Sequence, residues 1–145
     1  MKILLASDHG GFTLKENVLS FLKTQRFSIE DRGCYSSVSV DYPTYAFDVA
    51  TAISLGQADR GILFCGTGIG MAIAANKIKG IRAAAINDLF SARMAREHND
   101  LNILCLGGRV IGPGLAQELV EVFLNTPFNG ARHQKRLDLI TNQES

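Results

Sequence analysis

Short runs of isoleucine, leucine and valine alternate along the chain with longer stretches in which apolar residues recur every three or four positions. The short runs read as strands and the longer stretches as amphipathic helices. This alternation predicts a three-layer αβα domain, with a five-stranded parallel sheet of Rossmann-like type covered by helices on both faces. The strands are expected at residues 3–7, 27–31, 61–65, 82–87 and 102–107. Four of them are apolar, as strands buried on both faces should be.

The first helix is expected after Gly10-Gly11, with Phe12, Val18, Phe21 and Leu22 turned inward and Lys15, Glu16 and Lys23 facing water. Pro43 suits the first turn of a second helix that buries Ala46, Val49, Ala50 and Ile53. Residues 67–76 predict a helix of small side chains that can approach the sheet closely. Asp88 suits the N-cap of a helix running to Glu97, and Pro113 the start of another reaching Leu124. Beyond the turn at 127–130, residues 132–140 predict a charged helix with too few apolar residues to hold itself on its own sheet. That helix is expected to pack on a partner subunit. One domain spanning 1–145 is expected, with no repeat or linker.

Composition narrows the partners. Fifteen basic and 14 acidic residues leave a formal charge of +1, too weak a field to hold nucleic acid or an anionic membrane surface. The uncharged stretch 61–76 is interrupted by four glycines and falls short of the roughly 20 apolar residues a membrane span needs. The opening MKILLASDHG meets an acidic residue before a signal-peptide apolar region is complete, so a cytoplasmic location is expected. Cys34, Cys65 and Cys105 are odd in number and lack CxxC spacing, which predicts free thiols and neither a disulfide framework nor a zinc site. Cys105 is assigned to the core and Cys34 to a loop.

Four segments carry candidate chemistry. In Cys65-Gly66-Thr67-Gly68-Ile69-Gly70, alternate glycines let the backbone approach a ligand and leave N–H groups free at a helix N-terminus, which makes an anion site. A thiol beside that dipole can serve as base or nucleophile; the plainer reading is a strand cysteine before a glycine-rich turn. The segment lacks the Gly-Lys-Ser/Thr ending of a P-loop and has GxGxG rather than GxGxxG spacing, so nucleotide binding is disfavoured. Asp8 and His9, directly after the first strand, suit sugar hydroxyls or a phosphate, against a plain N-cap and a surface histidine. His98 near a helix C-terminus is favoured electrostatically for structural reasons alone. Arg132 and Arg136, four apart, can grip one phosphate or form a solvated basic face. Arg109, after Gly107-Gly108, is a further phosphate or carboxylate ligand.

Together, Ser7-Asp8-His9-Gly10-Gly11, Asp41-Tyr42-Pro43, the Cys65–Gly70 segment, Ala95-Arg96-Glu97-His98-Asn99 and Arg132-His133-Gln134-Lys135-Arg136 resemble the type B ribose-5-phosphate isomerases over nearly the whole chain. The same family includes allose-6-phosphate and galactose-6-phosphate isomerases. The resemblance implies a metal-independent, cofactor-free aldose–ketose isomerase of pentose phosphate metabolism, acting as a homodimer with shared sites, or as a dimer of dimers. It implies Cys65 as the base, Thr67 as its assistant, and the amides of Gly66, Thr67, Gly68, Ile69 and Gly70 around the enediolate. His98 would open the sugar ring, Asp8, Tyr42 and Asn99 would hold the sugar, and His9, Arg109, Arg132 and Arg136 would surround the phosphate. Sugar length, five carbons or six, stays open. A sugar-phosphate sensor would keep the arginines without needing Cys65.

Overall fold

The computed structural model describes residues 1–144. Its elements run β1 (Lys2–Ser7), α1 (Phe12–Leu22), β2 (Ser28–Asp31), α2 (Tyr42–Ser54), β3 (Arg60–Cys65), α3 (Ile69–Ala75), β4 (Ala83–Ala85), α4 (Leu89–Asn99), β5 (Ile103–Gly107), α5 (Pro113–Asn125) and α6 (Arg132–Thr141). All five strands are parallel, in the order β2-β1-β3-β5-β4. The expected α/β architecture is therefore the observed one.

Alternation along the central strands divides the core in two. Ile3 and Leu5, Ile62 and Phe64, Leu104 and Leu106 point to the layer containing α1, α4 and α5. Leu4 and Ala6, Leu63 and Cys65, Ile103 and Cys105 point to the layer of α2 and α3. Each of these strand side chains is at least 95% buried, and full burial of a Leu, Ile or Phe contributes about 1.5–3 kcal/mol. The chain leaves β1 toward β2 and leaves β3 in the opposite direction, so a crevice opens between the carboxyl ends of β1 and β3. Open α/β sheets bind ligands at such a reversal.

Three expectations need correction. Lys15 does not face water: it is fully buried. Its ammonium donates to Asp31 Oδ1 (2.7 Å) and to the Cys34 carbonyl (2.6 Å), and it sits 5.4–5.5 Å from the ring centres of Tyr35 and Phe12. β4 spans three residues rather than six. It is an edge strand, and the Asn76 amide pairs with both the N–H and C=O of Ala83 (2.8 Å each), closing the edge with a side chain. α4 runs on through His98 and Asn99 to the left-handed Asp100, so both residues lie in its last turn rather than beyond it.

α6 buries only His133 and Leu137, and its Leu139 and Ile140 are exposed. No helix of the described residues is long and apolar enough to cross a membrane.

Candidate active site

The crevice holds an open cleft of about 460 Å³ bounded by Asp8, Tyr42, Cys65, Gly66, Thr67, Ile69, Gly70 and Arg109, all expected from the sequence, and by Ile73, which was not. Ile73 stands one turn after Ile69 on the exposed face of α3, and the two isoleucines in an otherwise small-residue helix were the available signal.

Cys65 ends β3 and is 95% buried. The chain then turns through Gly68, whose φ of +81° an L side chain rarely adopts. That turn aims the Gly68 N–H at Cys65 Sγ (3.1 Å). It also delays the start of α3 to Ile69, two residues later than expected, and Thr67 Oγ1 accepts the Ile69 N–H (3.2 Å) in the place of a cap. Two of the five amides in the segment are therefore already used. Those of Gly66, Thr67 and Gly70 donate to nothing among the described residues and remain for a ligand. Gly70 abuts Tyr42: a Cβ there would lie 2.6 Å from the tyrosine ring.

Asp8 is 7% exposed, and its Oδ1 accepts the Gly11 N–H (3.1 Å). The carboxylate thus pins the Gly10-Gly11 turn rather than capping α1 directly, since the cap position is Gly11. His9 Nδ1 accepts the Val40 N–H (3.2 Å), which in the neutral ring leaves the proton on Nε2. Arg109 is held over the cleft by its own backbone, its N–H donating to the Gly66 carbonyl (3.0 Å). Beneath the cleft, complete burial followed by the neighbouring Cys65 pushes the Cys105 thiol far above the usual range. Cys105 is fully buried, in the core as expected.

His98, Asn99, Arg132 and Arg136 gather elsewhere. The His98 and His133 rings stack at 4.1 Å and 13°, joining the last turn of α4 to the first turn of α6. The Asn129 N–H donates to the Glu97 carbonyl (3.0 Å), tying the turn that leads from α5 into α6 to the last turn of α4. Arg132 and Arg136 are exposed on α6, on the face next to buried His133 and Leu137. Burial, then His98, Arg132 and Arg136, hold the His133 imidazole below its ordinary range. This cluster lies at the starting edge of the sheet: Arg82, just before β4, donates to the carbonyls of Asn99 (3.1 Å) and Asp100 (2.9 Å). β3 alone separates the two edges by about 16 Å, at roughly 3.3 Å per residue. One chain thus carries two half-sets of the expected residues, one at each edge.

Residues 3–140 match a family model described as Ribose/Galactose Isomerase. The chain belongs to this family. It is 45% identical to ribose-5-phosphate isomerase B of Escherichia coli over 97% of this chain and 94% of that one. Its structure superposes on the Clostridium thermocellum ribose-5-phosphate isomerase B with a TM-score of 0.96, at 48% identity, covering 98% and 96% of the two chains. The Mycoplasma genitalium ribose-5-phosphate isomerase B with bound ribulose-5-phosphate gives a TM-score of 0.93 at 42% identity, covering 99% and 95%. Among the described residues of this isomerase-family chain, no group of three metal-ligating side chains occurs.

Proposed function

We propose that the chain interconverts ribose 5-phosphate and ribulose 5-phosphate through an enediolate, with Cys65 as the base and without a metal or organic cofactor. The observation that carries this reading is a lone thiol at the cleft, ringed by the unpaired amides of Gly66, Thr67 and Gly70. The names of the relatives and the ribulose-5-phosphate in the Mycoplasma genitalium structure support the sugar.

The chemistry needs a base beside a weakly acidic C–H and donors at the oxygen that becomes negative. The Cys65 thiolate takes the proton from C2 of the open-chain aldose, and the electron pair moves through the new C1–C2 double bond to leave charge on O1. The free amides stabilise that oxygen. The proton on O2 passes to O1 and Sγ returns its proton to C1, yielding the C2 ketone with a C1 hydroxyl and regenerating the thiolate. The Thr67 oxygen already accepts the Ile69 N–H, so its hydroxyl hydrogen is available to the thiolate or the substrate. Asp8 and Tyr42 hold sugar hydroxyls from the wall of the cleft. Arg109 and His9 take the phosphate end.

His98 and Asn99 in this scheme act in a neighbouring chain's cleft, because a substrate at Cys65 lies at the opposite end of the strands from them. Arg132 and Arg136 come with them, closing the phosphate site from the partner. A homodimer with two shared sites follows, and it also gives the sparse α6 a second surface to cover.

Cys65→Ala tests the assignment. Turnover of ribose 5-phosphate should vanish while calorimetric binding of the sugar phosphate persists, since the amides and arginines remain. Near-wild-type turnover would remove Cys65 as the base. Faster turnover of allose or galactose 6-phosphate by the wild-type protein would move the substrate to six carbons.

A further inference from the structure

At the edge of the sheet where the strands begin lies a second cavity of about 580 Å³, within the roughly 300–1,000 Å³ typical of small-molecule pockets. Three guanidinium groups from three separate places line it: Arg60 at the start of β3, Arg82 before β4 and Arg96 on α4. Two carboxylates, Asp59 and Asp100, line it as well.

The hydrogen bonds show how much of this charge is already answered. Asp100 serves two arginines, taking Arg82 Nη2 at 3.1 Å and Arg96 Nη1 at 2.8 Å. Arg96, almost fully buried, donates further to the carbonyls of Leu101 (2.6 Å) and Thr126 (3.2 Å). Asp59 is engaged by the Lys2 N–H (2.6 Å). Arg60 has no carboxylate bonded to it among the described residues. Its Nη1 donates to the Phe123 carbonyl, and its guanidinium lies 5.4 Å from the centre of the Phe123 ring. Burial, then the nearby Arg96, bring the Arg60 guanidinium down to about 10, while Asp100 and Asp59 pull the other way. Three guanidinium groups against two carboxylates leave one positive charge over, and it sits where water is partly excluded.

We propose that this cavity binds a phosphate group carried on a small metabolite, with Arg60 as its main ligand and Arg82 and Arg96 at its flanks. The planar fork of arginine matches phosphate oxygens two at a time. The cavity is larger than a bare oxyanion needs, and Ile53 and Ala58 give it an apolar wall for a carbon skeleton. A phosphate held here would brace the last turn of α4 through Arg82 and Arg96, next to His98 and Asn99.

The test is calorimetric titration of the full chain carrying Arg136→Ala, which weakens the substrate-phosphate grip proposed above, with inorganic phosphate and with glycerol 3-phosphate. One ligand per chain should bind, glycerol 3-phosphate the tighter, and adding Arg60→Ala should weaken binding at least tenfold. Nitrogen-15 spectra of the Arg136→Ala protein give a second readout that needs no change in the cavity. The Nε–H signals of Arg60 and Arg82 should move on titration, and the amides of Gly66, Thr67 and Gly70 should stay. Absence of binding, binding indifferent to Arg60→Ala, or shifts confined to Gly66–Gly70 would overturn the proposal. None of these outcomes depends on whether Cys65 is the base.

Discussion

Gly68→Ala probes the turn that aims an amide at the Cys65 sulfur, and Gly80 supplies its control. Both glycines have a φ of +81°, yet an added Cβ meets nothing within 4 Å at Gly80, while at Gly68 it lies 3.1 Å from the Leu106 carbonyl carbon and 3.2 Å from the Cys105 carbonyl. The left-handed backbone costs an alanine about 1–2 kcal/mol at either position. The entropy that alanine removes from the unfolded chain returns about 0.4–1 kcal/mol of that. Gly80→Ala should therefore lose roughly 1 kcal/mol. At Gly68 the obstacle is the backbone of β5, fully buried and paired on both sides, so crowding adds about 1–3 kcal/mol. Relief by rotating the turn would pull the Gly68 N–H from Cys65 Sγ, and a displacement near 1 Å at a reacting group can cost about 100-fold in rate. Urea unfolding should place Gly68→Ala at least 1 kcal/mol below Gly80→Ala. Steady-state assay with ribose 5-phosphate should show at least a tenfold loss of kcat/KM for Gly68→Ala and none for Gly80→Ala. Equal stability in the two variants, with kcat/KM unchanged in both, would show that neither the contact with β5 nor the Gly68 N–H to Cys65 bond matters.

Lys15→Met keeps the buried stem but removes the charge opposite Asp31, so it should destabilise the fold by about 2–4 kcal/mol in urea, somewhat below the 3–5 kcal/mol of a fully buried pair because Asp31 is 20% exposed and also accepts the Gly33 N–H. A loss under 1 kcal/mol would mean the pair is not worth its burial. His133 is held below its ordinary pKa of 6.5, so the unfolded chain binds the proton more readily; its contribution is complete above about pH 6.5 and lost as pH falls through the folded value. Thermal melts should show the midpoint falling below pH 6.5 in the wild type more steeply than in His133→Phe, and parallel curves would contradict this. Activity should survive exhaustive EDTA treatment; loss restored by a divalent ion would show a metal at the enediolate.

The parallel sheet was legible because strands covered on both faces must be continuous apolar runs, and β1, β3 and β5 are such runs. The Cys65–Gly70 segment was legible because close backbone approach demands glycine. Lys15 was misread from its charge, although its position belongs to the buried stripe with Leu14, Val18, Leu19 and Leu22. What stabilises it there, Asp31 and the Cys34 carbonyl, comes from a different part of the chain and leaves no local pattern. β4 was overextended for a similar reason, since the asparagine that caps the end of α3 does the work of a neighbouring strand. The cavity of Arg60, Arg82 and Arg96 has no sequence signature, because three arginines spread over 37 positions converge only after folding.

If catalysis joins Cys65 of one chain to His98 of another, two inactive variants should complement each other when their subunits mix. Cys65→Ala and His98→Ala proteins are each expected to be nearly inactive. Unfolded together and refolded in equal amounts, half of the dimers should be mixed, and each mixed dimer holds one site with both residues intact in a symmetric two-fold assembly. About a quarter of the wild-type activity should return. No recovery, with mixed dimers verified by mass spectrometry, would contradict the shared site.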